Sequence, residues 1–563
     1  MNPIDYSPGP SSPQASAAAS RSTVSRSSRL RALTALAALT FIIAGGAFAP
    51  GSARAAEQSP AGPAVVDTDG GQLKGIIGDG VTEFRGIPYA APPTANLRWR
   101  APQPAAKWTG ARDASTFSPV CPQQPPSPNG QSEDCLYLNV TTPDGARSKG
   151  GPLPVIFFIH GGGFELGEGA DYDATKLAKA GAVVVTINYR LGLLGFLAHP
   201  ALADKPGGPA GNYGLMDQQA ALRWVQANIA QFGGDAHNVT IDGQSAGGLS
   251  VLAQLASPSA KGLFQRAIIE SGAFAPKQLS LATAEAAGQA SATAVGCADQ
   301  SADCLRQVPV ATLVANQPLS VTPGIIDGAV LKQSVLGAIA KGQFNRVPII
   351  NGSNTEEERL FTGIGLSVTN GATSVLPAGG ITAANYKATL ASNFGVSSAT
   401  AAAIAAQYPL SKYAQPALAF SAANSDANFS CPALAVDSAA SLYVPTYAYD
   451  FNDNTAPERF IPSPPLPTTA THQSELQYLF DLPNALPATL NTDQEALATT
   501  MRAAWTKFAA TGSPATAGQD WPKFDVLHQR VLSLQAPTSK VETNFSAQHH
   551  CLFWGGVALT NLR

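Results

Sequence analysis

The sequence predicts an α/β fold in which a mainly parallel sheet lies between layers of helices. Short runs rich in valine, isoleucine and phenylalanine alternate along the chain with longer helical patterns. This alternation is typical of parallel strands that are joined by crossover helices. The strand-like runs occupy residues 154–159, 182–187, 239–242, 267–270 and 347–350. In such sheets the reacting groups lie at the carboxyl ends of the strands.

Each predicted element has a reason in its residue pattern. Residues 154–159 and 182–187 are apolar at nearly every position, which indicates strands that are buried on both faces. A helix is predicted from about 217 to 231, and the alanine-rich region from about 370 to 425 indicates helices with Gly/Ser linkers that form part of a cap. A length of 563 residues suggests two or three domains. However, the candidate site residues described below are widely spread along the chain, so we expect one domain over residues 56–563.

The segment Gly-Gln-Ser-Ala-Gly at residues 243–247 follows the predicted strand at 239–242. It matches G-x-S-x-G, the strand–turn–helix motif that exposes a nucleophilic serine, here Ser245. A tight turn needs small neighbours where chain segments approach closely, and the glycines of this segment supply them. Taken alone, an ordinary glycine-rich turn is an equal alternative, so the interpretation depends on a base, an acid and oxyanion donors elsewhere in the chain.

A second glycine-rich segment, His-Gly-Gly-Gly-Phe at residues 160–164, directly follows the buried run at 154–159. Successive glycines let backbone N–H groups turn toward a ligand without interference from side chains. In esterases and lipases a loop of this type supplies oxyanion donors. The segment therefore predicts an oxyanion loop, with Gly162 and Gly163 as its candidate donors.

Further segments match the motifs of one known family and occur in the same order as in that family. They are Phe-Arg-Gly-Ile-Pro-Tyr-Ala at 84–90, Ser-Glu-Asp-Cys-Leu-Tyr-Leu-Asn-Val at 132–140, Asn-Tyr-Arg-Leu-Gly at 188–192, Gly-Asn-Tyr-Gly-Leu-Met-Asp-Gln at 211–218, Trp-Pro at 521–522 and Cys-Leu-Phe-Trp at 551–554. With the two glycine-rich segments, they resemble the type-B carboxylesterase family, the relatives of cholinesterases and bile-salt-type lipases. The resemblance spans the chain from about residue 60. It implies an α/β-hydrolase fold with a twisted, mainly parallel central sheet, helices on both faces and a helical cap.

His472 is the candidate base. Of the seven histidines, it alone stands in a segment similar to the family's H-x-x-E-L-x-Y-x-F, here residues 472–480. The family pattern G-x-N-x-D/E-E-G, matched at residues 352–358, places the acid on Glu357. This chain has Glu358 where the family has glycine, so Glu356 is the alternative acid. Glu356 and Glu358 are otherwise interpreted as a solvated acidic helix N-terminus, which the helix dipole favours.

The resemblance implies a serine esterase with a Ser-His-Glu triad. His472 accepts the proton of Ser245 during attack on an ester carbonyl, and Glu357 orients the imidazole and stabilises the imidazolium. An acyl-enzyme forms, which water then hydrolyses. The oxyanion is received by the backbone N–H groups of Gly162, Gly163 and Ala246. No metal and no organic cofactor is required.

Residues 1–55 are predicted to be an export leader. Arginines at 21, 26, 29 and 31 precede an apolar run at 32–48, and Ala-Arg-Ala at 53–55 resembles a cleavage site. This arrangement is typical of a secretory signal peptide. We therefore expect a periplasmic or extracellular protein, without stable membrane insertion after cleavage. An uncleaved N-terminal anchor is the alternative.

All six cysteines lie beyond residue 55, and an even number in an exported chain fits an oxidising compartment. Sequence alone leaves their pairing open. No Cys/His cluster has the spacing of a zinc site, so no metal is expected. The family resemblance implies the disulfides Cys121–Cys135, Cys297–Cys304 and Cys431–Cys551.

Charge and loop composition limit the substrate. The formal net charge of −3 argues against a nucleic-acid partner. Cholinesterase-like members bind a cation with a tryptophan in the first disulfide loop and a glutamate before the nucleophile. Here residues 122–134 include no aromatic residue, and Gln244 stands in place of the glutamate. We therefore expect neutral esters of short to medium acyl chain rather than quaternary ammonium esters. The alternatives are a lipase, amidase or specialised toxin- or lactone-ester hydrolase of the same fold, and a non-catalytic cholinesterase-like binding protein.

Overall fold

The computed structural model describes residues 64–146, 151–203, 208–318 and 324–560. The predicted leader at residues 1–55 lies outside these ranges. The strands are β1 (Ala64–Thr68), β2 (Gly71–Gly78), β3 (Val81–Pro88), β4 (Ala111–Asp113), β5 (Tyr137–Pro143), β6 (Leu153–Ile159), β7 (Val183–Ile187), β8 (Gly234–Gln244), β9 (Arg266–Glu270), β10 (Leu279–Ser280), β11 (Ile325–Ile326), β12 (Ile349–Asn354), β13 (Leu366–Thr369), β14 (Ala372–Val375), β15 (Thr446–Phe451), β16 (Val531–Leu534) and β17 (Lys540–Glu542).

One large sheet dominates the described residues. It has 13 strands in the order β1-β2-β3-β5-β7-β6-β8-β9-β12-β15-β16-β17, with β4 paired to β2. The central strands from β7 to β16 in this order are parallel to one another, and the strands at both edges are mainly antiparallel. The predicted mainly parallel sheet is confirmed, and the five strand-like runs of the sequence correspond to β6, β7, β8, β9 and β12.

The helices are α1 (Thr175–Lys179), α2 (Gly192–Phe196), α3 (Tyr213–Asn228), α4 (Ala246–Ala256), α5 (Leu281–Ala294), α6 (Ala302–Gln307), α7 (Val310–Ala315), α8 (Val335–Ala340), α9 (Glu358–Gly363), α10 (Tyr386–Phe394), α11 (Ser398–Gln407), α12 (Pro416–Ser425), α13 (Cys431–Ala440), α14 (Leu476–Leu479), α15 (Thr492–Thr511), α16 (Phe545–Gln548) and α17 (Cys551–Thr560). A π-helix, Asp426–Ser430, joins α12 to α13. The helix predicted from about 217 is α3, which begins at Tyr213.

Helices cover both faces of the sheet, and β6 shows the consequence for the sequence. Val155, Phe157 and Ile159 pack in one core with residues of α3, α4, α8 and α13. Ile156 and Phe158 pack in a second core with residues of α1, α14 and α15. Because alternate side chains of a strand point to opposite faces, a strand between two cores must be apolar at successive positions.

The alanine-rich region forms its own small core, in which α10, α11 and α12 pack against Trp554 of α17. The helical interpretation is wrong for residues 370–375. There Asn370 and Gly371 adopt φ of 50° and 79°, and β13 turns back onto β14. An Asn-Gly pair favours the positive-φ turn of a two-residue hairpin, and this local signal outweighs the alanine content nearby.

Three disulfides are present, Cys121–Cys135, Cys297–Cys304 and Cys431–Cys551, which are the pairs that the resemblance implies. The third joins cysteines that are 120 residues apart and ties α13 to α17. Disulfides of this number favour an oxidising compartment. In the ranges that the structure describes, no helix combines the length and apolar character that a membrane crossing needs.

Candidate active site

Ser245 lies in the turn between β8 and α4, at the carboxyl end of a central strand. Its backbone has φ 58° and ψ −122°, a conformation that residues with a side chain rarely adopt. Such a conformation costs on the order of 1–3 kcal/mol and persists where the surrounding fold holds it. The Ser245 N–H donates to the carbonyl oxygen of Glu270, at 2.8 Å, which ties the turn to β9. Only 8% of Ser245 is exposed, so its hydroxyl belongs to an interior site.

Chain segments meet around this turn at distances that leave no room for side chains. A Cβ on Gly243 would lie 2.6 Å from the carbonyl carbon of Gly247, and a Cβ on Gly247 would collide with the carbonyl oxygen of Ile159. A Cβ on Gly161 would lie 3.0 Å from the Cβ of Ser245. The glycines therefore allow the serine turn and the predicted oxyanion loop to pack directly on each other.

The three candidate oxyanion donors lie on these two segments. Gly162 and Gly163 adopt φ of 94° and 64°. Their N–H groups make no hydrogen bond among the described residues. Ala246 is the fully buried first residue of α4, where helical N–H groups have no acceptor within the helix.

His472 and Glu357 bond to each other although 115 residues separate them. Nδ1 of His472 lies 2.5 Å from Oε2 of Glu357, and both side chains are buried. The second carboxylate oxygen of Glu357 accepts the N–H of Asn354 at 2.8 Å. Because a carboxylate only accepts, the neutral imidazole carries its proton on Nδ1, which leaves a lone pair on Nε2.

Nε2 of His472 faces the serine turn. The side-chain amide nitrogen of Gln244, the residue before Ser245, lies 3.4 Å from this Nε2. The ring itself packs against Phe361 and Phe429, with centroid distances of 4.9 and 5.4 Å. The sequence marks Gln244 only as a difference from cholinesterase-like members, and no motif signals either aromatic contact.

The acids on both sides of Glu357 have other partners. Glu356 pairs with Arg359 at 2.6 Å. Glu358 is fully buried, and its Oε1 accepts the N–H of Val368 from β13 at 2.8 Å. Burial raises the pKa of the Glu358 carboxyl well above its ordinary value. The interpretation of Glu358 as part of a solvated helix terminus is therefore wrong, because β13 packs onto it.

Three further carboxyl groups lie behind the site, on Asp242 of β8, Glu270 of β9 and Glu475, and all are fully buried. Glu270 accepts the indole N–H of Trp505 at 2.7 Å, and Glu475 accepts the side-chain amide of Asn354. Burial raises the pKa of the Asp242 and Glu270 carboxyls well above their ordinary values, and that of Glu475 to about 7. No pattern in the sequence distinguishes Asp242 and Glu270 from solvated acids at strand ends.

A cavity of about 100 Å³ lies against the oxyanion loop. Gly161 and Gly162 bound it on one side, and Gln473 and Leu476, which follow the base, bound it on another. The cavity is smaller than typical ligand pockets of roughly 300–1,000 Å³, and it adjoins the oxyanion loop rather than Ser245 or His472.

His160 shapes the loop and does not titrate near neutral pH. Burial lowers its pKa to about 4, and its ring stacks on Tyr189 with centroids 4.4 Å apart. Within the described ranges, one group of side chains, Cys297, Asp299 and Cys304, brings possible metal ligands close together. Its cysteines are joined in a disulfide, so they offer no thiolate to a metal.

The sequence and the fold match those of known proteins. A model of the carboxylesterase family matches residues 62–554. The fumonisin B1 esterase of Sphingopyxis macrogoltabida is 36% identical over 482 residues, and the match covers 81% of this chain and 84% of that protein. The para-nitrobenzyl esterase of Bacillus subtilis (strain 168) is 36% identical over 488 residues, and the match covers 82% of this chain and 92% of that protein.

Solved structures agree with the family match. A thermophilic PNB esterase superimposes with a TM-score of 0.73 at 33% identity, covering 87% of this chain and 99% of its own. A second PNB esterase superimposes with a TM-score of 0.72, also at 33% identity and with the same coverage. The chain therefore belongs to the carboxylesterase family, has the α/β-hydrolase fold and is an enzyme that hydrolyses carboxylic ester bonds.

Proposed function

We propose that Ser245, His472 and Glu357 form the catalytic triad of this esterase. The observation that carries the proposal is the orientation of the His472 ring. Its Nδ1 bonds to Glu357 at 2.5 Å, and its Nε2 points to the residue that precedes Ser245. A base held in this way keeps its lone pair on the side of the serine turn, where a triad requires it.

The reaction follows from this arrangement. As Ser245 Oγ forms a bond to the ester carbonyl carbon, its proton passes to Nε2 of His472, and the carbonyl oxygen becomes an oxyanion. Glu357 stabilises the resulting imidazolium without taking its proton. His472 then returns the proton to the leaving alkoxide, and the acyl-enzyme remains. A water molecule then attacks the acyl-enzyme while His472 takes its proton, and this proton passes to Ser245 Oγ as the carboxylic acid is released.

The oxyanion is stabilised by backbone N–H groups. Gly162 and Gly163 have donors that no described residue uses, and their loop packs on Ser245. One such donor typically contributes a factor of about 10²–10³ to the rate. The proposed donors are those of Gly162, Gly163 and Ala246.

The substrates are neutral esters with short to medium acyl chains. Glutamine rather than glutamate precedes the nucleophile, and residues 122–134 include no aromatic residue, so the chain lacks the groups with which cholinesterase-like members bind a cation. We expect turnover of p-nitrophenyl acetate and butyrate to exceed that of long-chain esters. Toxin-ester hydrolysis is the second candidate, because a relative at 36% identity is a fumonisin B1 esterase. An ester panel that includes fumonisin B1 separates the two.

The test of the triad is hydrolysis of p-nitrophenyl butyrate by Ser245→Ala. We expect the variant to lose activity by at least about 10⁴-fold, because the nucleophile is absent. Ser271→Ala is the matched control, since Ser271 is buried just beyond the neighbouring strand β9 and its hydroxyl has no partner among the described residues. Retained activity in Ser245→Ala, or a comparable loss in Ser271→Ala, contradicts the assignment.

We also propose that residues 1–55 direct export and that residues 56–563 form one folded domain. The three disulfides support an oxidising location. N-terminal sequencing of the mature protein should find a start near residue 56. A mature protein that retains the apolar run at 32–48 supports the anchor alternative instead.

A further inference from the structure

The residues that follow the oxyanion glycines fix the peptide group that carries the Gly163 donor. The N–H groups of Glu165 and Leu166 both donate to the carbonyl oxygen of Gly162, at 3.0 and 3.1 Å. This carbonyl belongs to the same trans peptide group as the N–H of Gly163, and the two point in opposite directions. The bonds at the Gly162 carbonyl therefore direct the Gly163 N–H away from residues 165–166.

The preceding peptide group, which carries the Gly162 donor, is fixed in a similar way. Nδ1 of His160 donates to the carbonyl oxygen of Gly161 at 2.9 Å, on the side opposite to the Gly162 N–H. Gly167 packs against this corner. A Cβ on Gly167 would collide with Nδ1 of His160 and would lie 2.9 Å from the Gly161 carbonyl oxygen. The position of Gly167 therefore limits where the histidine ring and this peptide group can lie.

The side chain of Gln123 holds Gly167 from the loop that the disulfide Cys121–Cys135 closes. Its Oε1 accepts the N–H of Gly167 at 2.8 Å, and its Nε2 donates to the Gly167 carbonyl oxygen at 3.2 Å. Gln123 is 5% exposed, its Nε2 also donates to the carbonyl oxygen of Cys121, and its backbone N–H donates to Gln131. One carboxamide, itself fixed within its loop, thus pairs with both backbone polar groups of Gly167.

We propose that Gln123 is a positioning residue of the oxyanion loop. It holds Gly167 in place, and through Gly167 it keeps the N–H groups of Gly162 and Gly163 directed at the oxyanion. The proposal rests on the oxyanion donors proposed above and extends them to the first disulfide loop. Glycines need such support because no side chain of their own restricts their backbone.

A second attachment keeps the two loops together when Gln123 is replaced. Glu168 is 3% exposed, and its carboxylate accepts the hydroxyl of Ser127 at 2.8 Å and the side-chain amide of Asn129 at 3.3 Å. These bonds hold Glu168 and make no contact with the peptide groups of residues 161–163. We therefore expect a protein without the Gln123 amide to fold, with the added freedom at Gly167 and the glycines before it.

The test is Gln123→Met in the full-length protein, which keeps the length of the side chain and removes both bonds to Gly167. Loss of a whole oxyanion donor costs about 10²–10³ in rate, and donors that are present but poorly directed should cost less. We expect kcat and kcat/KM for p-nitrophenyl butyrate to fall together, by about ten-fold, with KM within about two-fold of the parent value. The kcat is expressed per Ser245 labelled at completion by a phosphonate, so inactive molecules do not count.

A trifluoromethyl ketone with a propyl group gives a second readout. Ser245 Oγ adds to its carbonyl carbon, the serine proton passes to His472, and the ketone oxygen becomes an oxyanion. We expect its inhibition constant to rise about ten-fold in Gln123→Met, in step with the fall in kcat/KM. A residue that only stabilises the fold would change Tm without changing either value per labelled serine.

Gln278→Met is the matched control. Gln278 is 8% exposed, its Nε2 donates to the carbonyl oxygen of Ala275 at 2.8 Å, and its Oε1 accepts the N–H of Val335 at 2.7 Å. The substitution therefore removes the same pair of backbone bonds, but from the segment before β10 and from α8. We expect Gln278→Met to keep the kcat and the ketone inhibition constant of the parent.

A Gln123→Met variant whose kcat per labelled serine is within two-fold of the parent, or no lower than that of Gln278→Met, overturns the positioning role. If Gln123→Met does not fold, Gln123→Glu decides, because it keeps an acceptor for the Gly167 N–H and loses the donor to the carbonyl. An unchanged kcat in Gln123→Glu then overturns the role. A parent protein that binds the trifluoromethyl ketone no more tightly than the matching methyl ketone overturns the oxyanion donors themselves.

Discussion

The ion pair between His549 and Asp426 predicts a pH-dependent stability. Nδ1 of His549 lies 2.6 Å from Oδ1 of Asp426, and both side chains are more than nine-tenths buried. The other carboxylate oxygen accepts the hydroxyl of Tyr408 at 2.6 Å. Asp426 begins the π-helix that carries Phe429, so this pair ties the C-terminal segment to the element that packs on the base.

The size of the effect follows from the pKa of His549. Burial alone lowers this pKa, but Asp426, with Asp450 and Glu356, outweighs burial and raises it from 6.5 to about 8. A group whose pKa is raised on folding contributes its full stabilisation at pH values below its pKa in the unfolded protein. This contribution is lost as the pH rises through its pKa in the folded protein. The difference corresponds to about 2 kcal/mol, present below pH 6.5 and lost above pH 8.

The assay is thermal unfolding of the parent protein and of His549→Gln between pH 6 and pH 9. For a folded unit of roughly 500 residues, 2 kcal/mol corresponds to a Tm difference of about 2 °C. The Tm of the parent minus the Tm of the variant should therefore be about 2 °C larger at pH 6 than at pH 9. His528→Gln is the control, because His528 also pairs with an aspartate but has a 66% exposed side chain. A Tm difference between parent and His549→Gln that is the same at both pH values would exclude a pH-dependent contribution of this ion pair to stability.

Three further predictions concern the site and its frame. Glu357→Gln should lower kcat/KM for p-nitrophenyl butyrate by about 10³–10⁴-fold with little change in Tm, because the imidazole loses its orienting carboxylate. A loss of less than ten-fold would assign the acid to another residue. Gly247→Ala should abolish activity and lower Tm, since its Cβ collides with the carbonyl that ends β6, whereas Gly518→Ala, where a Cβ meets no atom within 4 Å, should leave both unchanged. Replacing Cys431 and Cys551 together by serine should destabilise the protein by about 2–5 kcal/mol in chemical denaturation, and equal stability would mean that the 120-residue cross-link is dispensable.

The elements that could be predicted from the sequence are those whose cause is local. The run at β6 is apolar because both faces of the strand are buried, and this can be seen without knowing its neighbours. The turn at Ser245 can be recognised in the sequence by its glycines, which are required because chain segments pack closely there. The hairpin of β13 and β14 also had a local signal, the Asn-Gly pair at residues 370–371, which the alanine content of the region obscured.

Other features depend on partners that are remote in sequence. Glu358 resembles a solvated acid until β13 packs on it. Asp242 and Glu270 are both fully buried, and α15 brings Trp505 into hydrogen-bond contact with Glu270. Gln244 reaches a base that lies 228 residues further along the chain. In each case the environment is set by tertiary packing, and no local pattern encodes it.

The most direct test of the account is the site of covalent modification by an organophosphorus ester. The purified protein is inactivated with paraoxon, digested and mapped by tandem mass spectrometry. We expect one stoichiometric diethylphosphoryl adduct on Ser245, formed in proportion to the loss of esterase activity. Complete inactivation with the adduct on another residue, or full activity with Ser245 modified, would contradict it.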